Sequence, residues 1–270
     1  MPSGSLTIVG TGIKLSQVSV EARACIGSAD KVYFLVADVV TAAWITDLNP
    51  SAESLGSFYR RGKYRLTTYS EMVERLLSRV REGLDVCAVF YGHPGVFVLP
   101  SHEAIRRARL EGFQAKMLPA VSTEDCLFAD LGIDPATSGC QSFEATNFLV
   151  YRRRFDPCSS LVLWQIGVTG ELKFSRKRNM AGIRVLIDYL QGYYGPSHEV
   201  VIYEAAHFPG CDPIIQRVPL AQVPSTRFAT GATLYVPPKP ARPANAAMLA
   251  RLGVPRARLS AKAFPQPMQR

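Results

Sequence analysis

Arg65 and Tyr69 stand four residues apart in the stretch Phe58-Tyr59-Arg60-Arg61-Gly62-Lys63-Tyr64-Arg65-Leu66-Thr67-Thr68-Tyr69. If the chain is helical through Tyr69, both side chains share one face and a guanidinium lies beside a phenol. A neighbouring cation favours phenolate and lowers the phenol pKa. The same stretch also reads as a solvated basic loop with Tyr69 as a half-buried anchor, and taken alone it favours that reading. The segment Tyr91-Gly92-His93-Pro94-Gly95-Val96-Phe97 follows the apolar run 86–90 directly. Two glycines and a proline there allow backbone to approach a ligand closely. His93 is either a ligand-facing group or a histidine that satisfies a loop carbonyl. Gly10-Thr11-Gly12 after the apolar run 6–9 invites a nucleotide reading. The third glycine of GxGxxG falls at Leu15, however, and no GxxxxGK[ST] occurs, so the segment marks a tight turn. No GxSxG or Ser/His/Asp order is found, and Glu124, Asp125 and Glu171 read as solvated or capping acids.

The elements that must position these residues alternate. Strands are expected at 6–9, 31–35, 86–90 and 114–118, with helices over 16–26, 40–48, 68–82 and 102–111, the last capped by Ser101. In the third helix Tyr69, Met72, Val73, Leu76, Leu77 and Val80 fall on one face, and Gly83 is its stop. Such βαβα alternation implies a mainly parallel sheet with helices outside it, and ligands then bind beyond the C-terminal strand ends. The loops after Val9 and Phe90 are the first places to look. The rhythm continues after Pro119: helix 122–131, strands near 141–143 and at 160–164, helix 182–192, strand 199–203, and strands near 214–218 and 232–236. A short helix over 245–252, stopped by Gly253 and Pro255, follows. We therefore expect an N-terminal α/β domain (1–119), a second of similar size (120–238) and a basic Pro/Ala-rich extension (239–270).

Composition narrows the class. The 270 residues carry 31 Lys+Arg and 22 Asp+Glu, a formal net charge of +9. The last acid is Asp212, so residues 1–212 balance at 22 and 22, and the excess lies in nine later bases. A uniformly basic nucleic-acid-binding body is excluded by this. With 47% hydrophobic residues the chain is not a disordered one. No apolar run reaches the ~18 residues of a membrane span, and no signal segment precedes the first strand. Six cysteines, none closer than 14 residues to the next, encode no CxxC pair. The expectation is a reduced cytoplasmic protein with free, buried thiols.

Several segments together resemble a known family. Tyr59, Arg65 and Tyr69 in their spacing, FYGHPGVF (90–97), AKMLPAVSTEDCLFADLGIDP (115–135), SFEATNF (142–148), LWQIGVTG (163–170) and ATLYVPP (232–238) resemble the borosin peptide-backbone N-methyltransferases, in the family's order and over about residues 5–238. The resemblance implies the tetrapyrrole-methylase fold: two α/β domains with S-adenosylmethionine in the cleft between them. It further implies methylation of backbone amides in a peptide, by an interlocked homodimer. Tyr91, His93, Val96, Ser122, Thr123, Gln165, Ala206, Ala232 and Thr233 would line the cofactor site, and Tyr59, Arg65, Tyr69 and Tyr91 match the catalytic cluster. Tetrapyrrole methylases that act on macrocycles usually carry GxGxGD after the first strand and GDP in the cofactor loop. This sequence has Gly10-Thr11-Gly12-Ile13-Lys14 and Gly92-His93-Pro94 instead, which favours the peptide branch.

The implied chemistry suits these residue types. An amide nitrogen is a poor nucleophile because its lone pair is delocalised into the carbonyl. A base can remove the N–H while a cation holds the imidate oxygen. Tyr69 is the candidate base, Arg65 its activator and the imidate partner. Tyr91 would orient the sulfonium methyl with Tyr59 in support, without a metal. Fused fungal enzymes of this family carry their target peptide at the C-terminus. Residues 239–270 hold no Val/Ile-rich run, which leads to the expectation of a split, bacterial-type system acting on a separate precursor peptide. The rival readings are a porphyrin or corrin precursor C-methyltransferase, a catalytically silent binding module, and nucleic-acid binding through the basic tail. The tail's bases are scattered among Pro and Ala without stacking aromatics, so no nucleic-acid partner is expected.

Overall fold

A computed structural model describes residues 3–255. Four of the nine late bases, Arg256, Arg258, Lys262 and Arg270, lie outside the described residues. The chain divides into two compact units that are not contiguous in sequence. The first comprises 1–126, 171–177 and 205–214, the second 127–170, 178–204 and 215–270.

The first unit contains strands β1 (Ser5–Gly10), β2 (Lys31–Leu35), β3 (Glu53–Ser54), β4 (Asp85–Phe90) and β5 (Gln114–Met117). Its helices are α1 (Val20–Ser28), α2 (Val39–Leu48), α3 (Arg65–Arg81) and α4 (Leu99–Leu110). The sheet order is β3-β2-β4-β1-β5, and every pairing is parallel. Strand alternation divides its residues between two cores. Leu6, Ile8, Val86, Ala88 and Phe90 join Met72, Leu76 and Leu77 of α3 and Ala104 and Ala108 of α4 on one face. Val9, Cys87 and Val89 join Ala22 and Ile26 of α1 and Ile45 of α2 on the other. Burial on both faces explains why β4 reads as an unbroken apolar run. Register sets Gly10 beside Phe90, so β1 and β4 end level and their loops emerge side by side.

α5 (Thr123–Leu131) leads into the second unit, followed by α6 (Pro135–Ser138), β6 (Cys140–Glu144), α7 (Ala145–Val150), β7 (Ser160–Trp164), α8 (Met180–Tyr194), β8 (Glu199–Glu204), β9 (Ile214–Pro219), β10 (Thr233–Val236) and α9 (Ala246–Leu252). Its sheet order is β6-β7-β10-β8-β9. Here the continuing parallel rhythm expected from sequence gives way to a mixed sheet: β6 and β7 are parallel, but β10 is antiparallel to both β7 and β8. Only a short 3-10 helix (Leu220–Ser225) lies between β9 and β10, and no α-helical crossover of the kind a parallel return needs. α8 packs Ile183, Leu186, Ile187 and Leu190 into this unit's core.

Three local expectations need correction. The helix expected over 16–26 is split: a 3-10 turn covers Leu15–Gln17, and α1 starts only after Ser19, whose hydroxyl accepts from the Ala22 N–H. Ser101 is not a cap. α4 begins at Leu99 with Pro100 in its first turn, and Ser101 is buried inside the helix. Of the six thiols only Cys87 is fully buried, which pushes its pKa up to about 12, and Cys211 is exposed. Among the described residues, no helix is long and apolar enough to cross a membrane.

Candidate functional site

The first turn of α3 breaks the usual rules for a helix start. Its N-cap, Tyr64, makes no side-chain capping bond, and no acid stands in the first turn. Arg65 instead places a cation where the helix dipole favours an anion. The turn is held by a distant segment: the Arg65 N–H donates to the Leu172 carbonyl (3.1 Å). Nearby, Gly62 N–H donates to the Phe174 carbonyl (3.3 Å) and Phe174 N–H to the Lys63 carbonyl (2.9 Å). Residues 171–177 thus run against 62–65 like an added strand. Gly62, at φ +78°, sits in the tight turn that leads into this pairing, closed by the Lys63 N–H on the Arg60 carbonyl (3.1 Å).

This bracing sets out the aromatic cluster. Tyr59 ends a 3-10 turn (Leu55–Phe58), with its ring 5.0 Å from the Phe174 ring and edge-on to Tyr69 at 6.5 Å between centroids. Arg65 and Tyr69 are one turn apart on α3, as expected from their spacing. Tyr91 leaves β4 with its N–H donating to the Leu35 carbonyl (3.1 Å). The electrostatics tie the group together. Burial raises the Tyr59 phenol well above the usual tyrosine range; the charge of Tyr69, a hydrogen bond with it, and Tyr91 add to the rise, and Arg65 opposes it. The Tyr59 and Tyr69 phenols are hydrogen-bonded to each other. The Tyr91 phenol is also raised, by burial first and then by Tyr69. Its side chain is 45% exposed, yet protein crowds around the phenol closely enough to disfavour its anion. Tyr59, Arg65, Tyr69 and Tyr91 are therefore electrostatic neighbours, and two of the three phenols are held neutral.

The loops beyond β1 and β4 are joined. Gly92 N–H donates to the Gly12 carbonyl (2.7 Å), and Thr11 N–H to the Phe90 carbonyl (2.9 Å). A Cβ built on Gly10 would fall 2.2 Å from the Gly92 carbonyl oxygen and 2.6 Å from Ala120, so only glycine fits. In the loop after β4, the His93 Nδ1 accepts from the Gly95 N–H (2.9 Å), and Val96 N–H donates to the His93 carbonyl (3.1 Å). Both readings of His93 thus share a ring fixed by its own loop. Ser122 and Asp125 form reciprocal bonds at the start of α5: Ser122 N–H donates to the Asp125 carboxylate (2.7 Å), and Asp125 N–H to the Ser122 hydroxyl (3.2 Å). That makes Ser122 a helix cap. Thr123 begins the helix, and Ala206 is buried in the first unit.

Gln165, Ala232 and Thr233 lie in the second unit. Gln165 follows β7 in the left-handed region (φ 56°, ψ 40°), a conformation costly for a non-glycine residue. The next N–H, of Ile166, donates to the Ala232 carbonyl (3.1 Å), and a Cβ on Gly167 would meet Thr230 at 2.7 Å. These three residues are thereby brought together, with Ala232 and Thr233 buried. Sequence reasoning missed Phe174 and the whole 171–177 segment, because nothing local in them signals a return to 62–65. Among the described residues, no group of three or more His, Cys, Asp or Glu is placed to hold a metal ion.

The family model for tetrapyrrole (corrin/porphyrin) methylases matches residues 5–218. The chain belongs to this family. The chain is 44% identical over 256 residues to the methyltransferase/ribosomally synthesized cyclic peptide gymnopeptides precursor of Gymnopus fusipes, covering 93% of this chain and 61% of that protein. It is 46% identical over 247 residues to the methyltransferase/ribosomally synthesized type I borosin cyclic peptide precursor of Coprinopsis marcescibilis, covering 88% and 63%. The chain thus spans just over three fifths of the length of these relatives. Their names join methyltransferase and precursor in one protein, which lends no support to the expected split, bacterial-type system. Among solved structures, uroporphyrin-III-C-methyltransferase from Thermus thermophilus superposes with a TM-score of 0.62 over 87% of this chain and 92% of its own, at 16% identity. At that identity the likeness establishes the fold, as the α/β tetrapyrrole-methylase type.

Proposed function

We propose that the chain transfers a methyl group from S-adenosylmethionine to backbone amide nitrogens of a peptide. The observation that carries this reading is the grouping of Tyr59, Arg65, Tyr69 and Tyr91. Methylation of a macrocycle carbon calls for no phenol–guanidinium pair; activation of an amide does. The relatives, named as methyltransferases and cyclic peptide precursors, support it.

Tyr69, one turn along α3 from the Arg65 guanidinium, takes the amide proton. Arg65, on the same face of α3, holds the imidate oxygen formed as the N–H is lost. The hydrogen bond between Tyr59 and Tyr69 fixes the Tyr69 oxygen in place. Tyr91 orients the donor group. The residues are compatible with S-adenosylmethionine: the close Gly10–Gly92 packing joins the two loops at the C-terminal ends of β1 and β4, where ligands of parallel sheets bind. In the first unit Tyr91, His93, Val96, Ser122, Thr123 and Ala206 are the residues that would hold it. When bound, that group supplies an electrophilic methyl. The homodimer and the separate precursor belong to the same reading.

Tandem mass spectrometry tests it. The protein, S-adenosylmethionine and a Val/Ile-rich peptide added in trans should give +14 Da steps located on backbone nitrogens, with none on the chain itself. Methylation of uroporphyrinogen III with no peptide modification would overturn it in favour of the macrocycle reading.

A further inference from the structure

Beside the tyrosine cluster the first unit holds a cavity of about 560 Å³, lined by Tyr59, Gly62, Phe174 and Ser175 and by five charged residues: Arg61, Lys173, Arg176, Lys177 and Glu171. Four of the five are cations. All four are exposed, and among the described residues none has a carboxylate within ion-pairing distance. The same unit pairs its bases elsewhere: Lys31 and Arg75 with Glu53, Lys63 with Glu71, Arg79 with Glu82, Arg81 with Glu74 and Glu111, Arg106 with Glu103, and Arg107 with Glu74. The lining acid is engaged by backbone, since Glu171 Oε1 accepts the Lys173 N–H (2.9 Å). Lys173 is held in place over the Tyr64 ring, 5.0 Å from its centroid. The cavity therefore gathers four cations that, among the described residues, have no carboxylate within ion-pairing distance. It shares Tyr59 with the reaction cluster, so a ligand here adjoins a ligand there.

We propose that this cavity binds an acidic segment of the peptide substrate, its Asp or Glu carboxylates on Arg61, Arg176 and Lys177, and so places the neighbouring backbone amide at Tyr69. This rests on the peptide reading of the site. Guanidinium and ammonium groups spaced around a cavity suit several separate carboxylates. The aromatic floor of Tyr59 and Phe174 accommodates the peptide backbone between them. A continuous phosphate chain fits less well, because Glu171 interrupts the cationic wall.

The full chain is titrated with a fluorescein-labelled peptide carrying a Glu-rich segment beside its methylatable core, with the twin in which Gln replaces each Glu, and with a single-stranded RNA oligomer as competitor. The Glu peptide is expected to bind about tenfold more tightly than its twin, and added salt should erode that preference. The combined variant Arg61→Glu, Arg176→Glu, Lys177→Glu should abolish the preference while binding the Gln twin like the parent protein. The milder Arg61→Gln, Arg176→Gln, Lys177→Gln should lose most of it. Equal affinity for both peptides, a preference that survives the substitutions, or displacement by RNA at lower concentration than by unlabelled Glu peptide would overturn the proposal. Methyl transfer followed on the same samples separates it from the parent reading. Backbone methylation of both twins with no binding preference removes the site and leaves the activity. A charge-dependent preference with no methylation leaves the site and removes the activity.

Discussion

The two ends of α3 obey different rules. Its C-terminal part is built for stability. Met72, Val73, Leu76, Leu77 and Val80 are buried, Arg79 and Arg81 complement the dipole at the last turn, and Gly83 closes the helix at φ +89° with its N–H on the Val80 carbonyl. Its first turn has no capping side chain, no acid and a cation at the first position. The second end costs stability by each of these choices, and it is the end where Arg65 and Tyr69 meet Tyr59 and Tyr91. Departures from local consistency gather in the one turn to which the proposed chemistry is assigned.

Substitutions at the two ends should therefore separate activity from stability. Arg65→Ala is expected to lower methylation kcat by about 10²–10³-fold, as for loss of an oxyanion partner. Its unfolding free energy should fall far less than that of a core substitution, since Arg65 lies outside the buried stripe of α3. A large fall in stability with it would erase the contrast. Leu76→Ala, about three turns on, should cost ~2–5 kcal/mol in denaturant unfolding and leave the turnover of the folded fraction unchanged. Tyr59→Phe removes the hydrogen bond to Tyr69 and should lower kcat by about tenfold, with tandem mass spectrometry still finding methylated product. The smallest effect is expected at Arg81, whose exposed bonds to Glu74 and Glu111 hold both carboxyls below their ordinary pKa of 4.5. Arg81→Ala should cost under about 1 kcal/mol at neutral pH. That contribution is complete above the ordinary value and is lost as pH falls through the lowered one, so chemical unfolding of parent and variant should converge in acid.

The same helix explains what sequence disclosed and what it withheld. Its buried stripe was legible because six apolar residues recur at helical spacing. Its start was not. The sequence reading began the helix at Thr68, three residues late, because Tyr64 and Arg65 carry no capping signal and the true start is held by the Leu172 carbonyl, more than a hundred residues away. The parallel first sheet was legible from regular alternation, whereas β10 looked like any apolar strand, since direction is fixed by connection and pairing partner. Gly10 and Gly12 were visible as a turn, but the fit of Gly10 against Gly92 exists only once β1 and β4 pair in register. Likewise Arg61, Lys173, Arg176 and Lys177 are two unremarkable basic runs until residues 171–177 return to 62–65.

The most direct test of the central claim is Tyr69→Phe assayed for cofactor binding and for peptide methylation together. Calorimetry should find S-adenosylmethionine bound as in the parent protein, while tandem mass spectrometry finds no +14 Da step on any backbone nitrogen. Turnover at the parent rate would contradict the assignment of Tyr69 as the base.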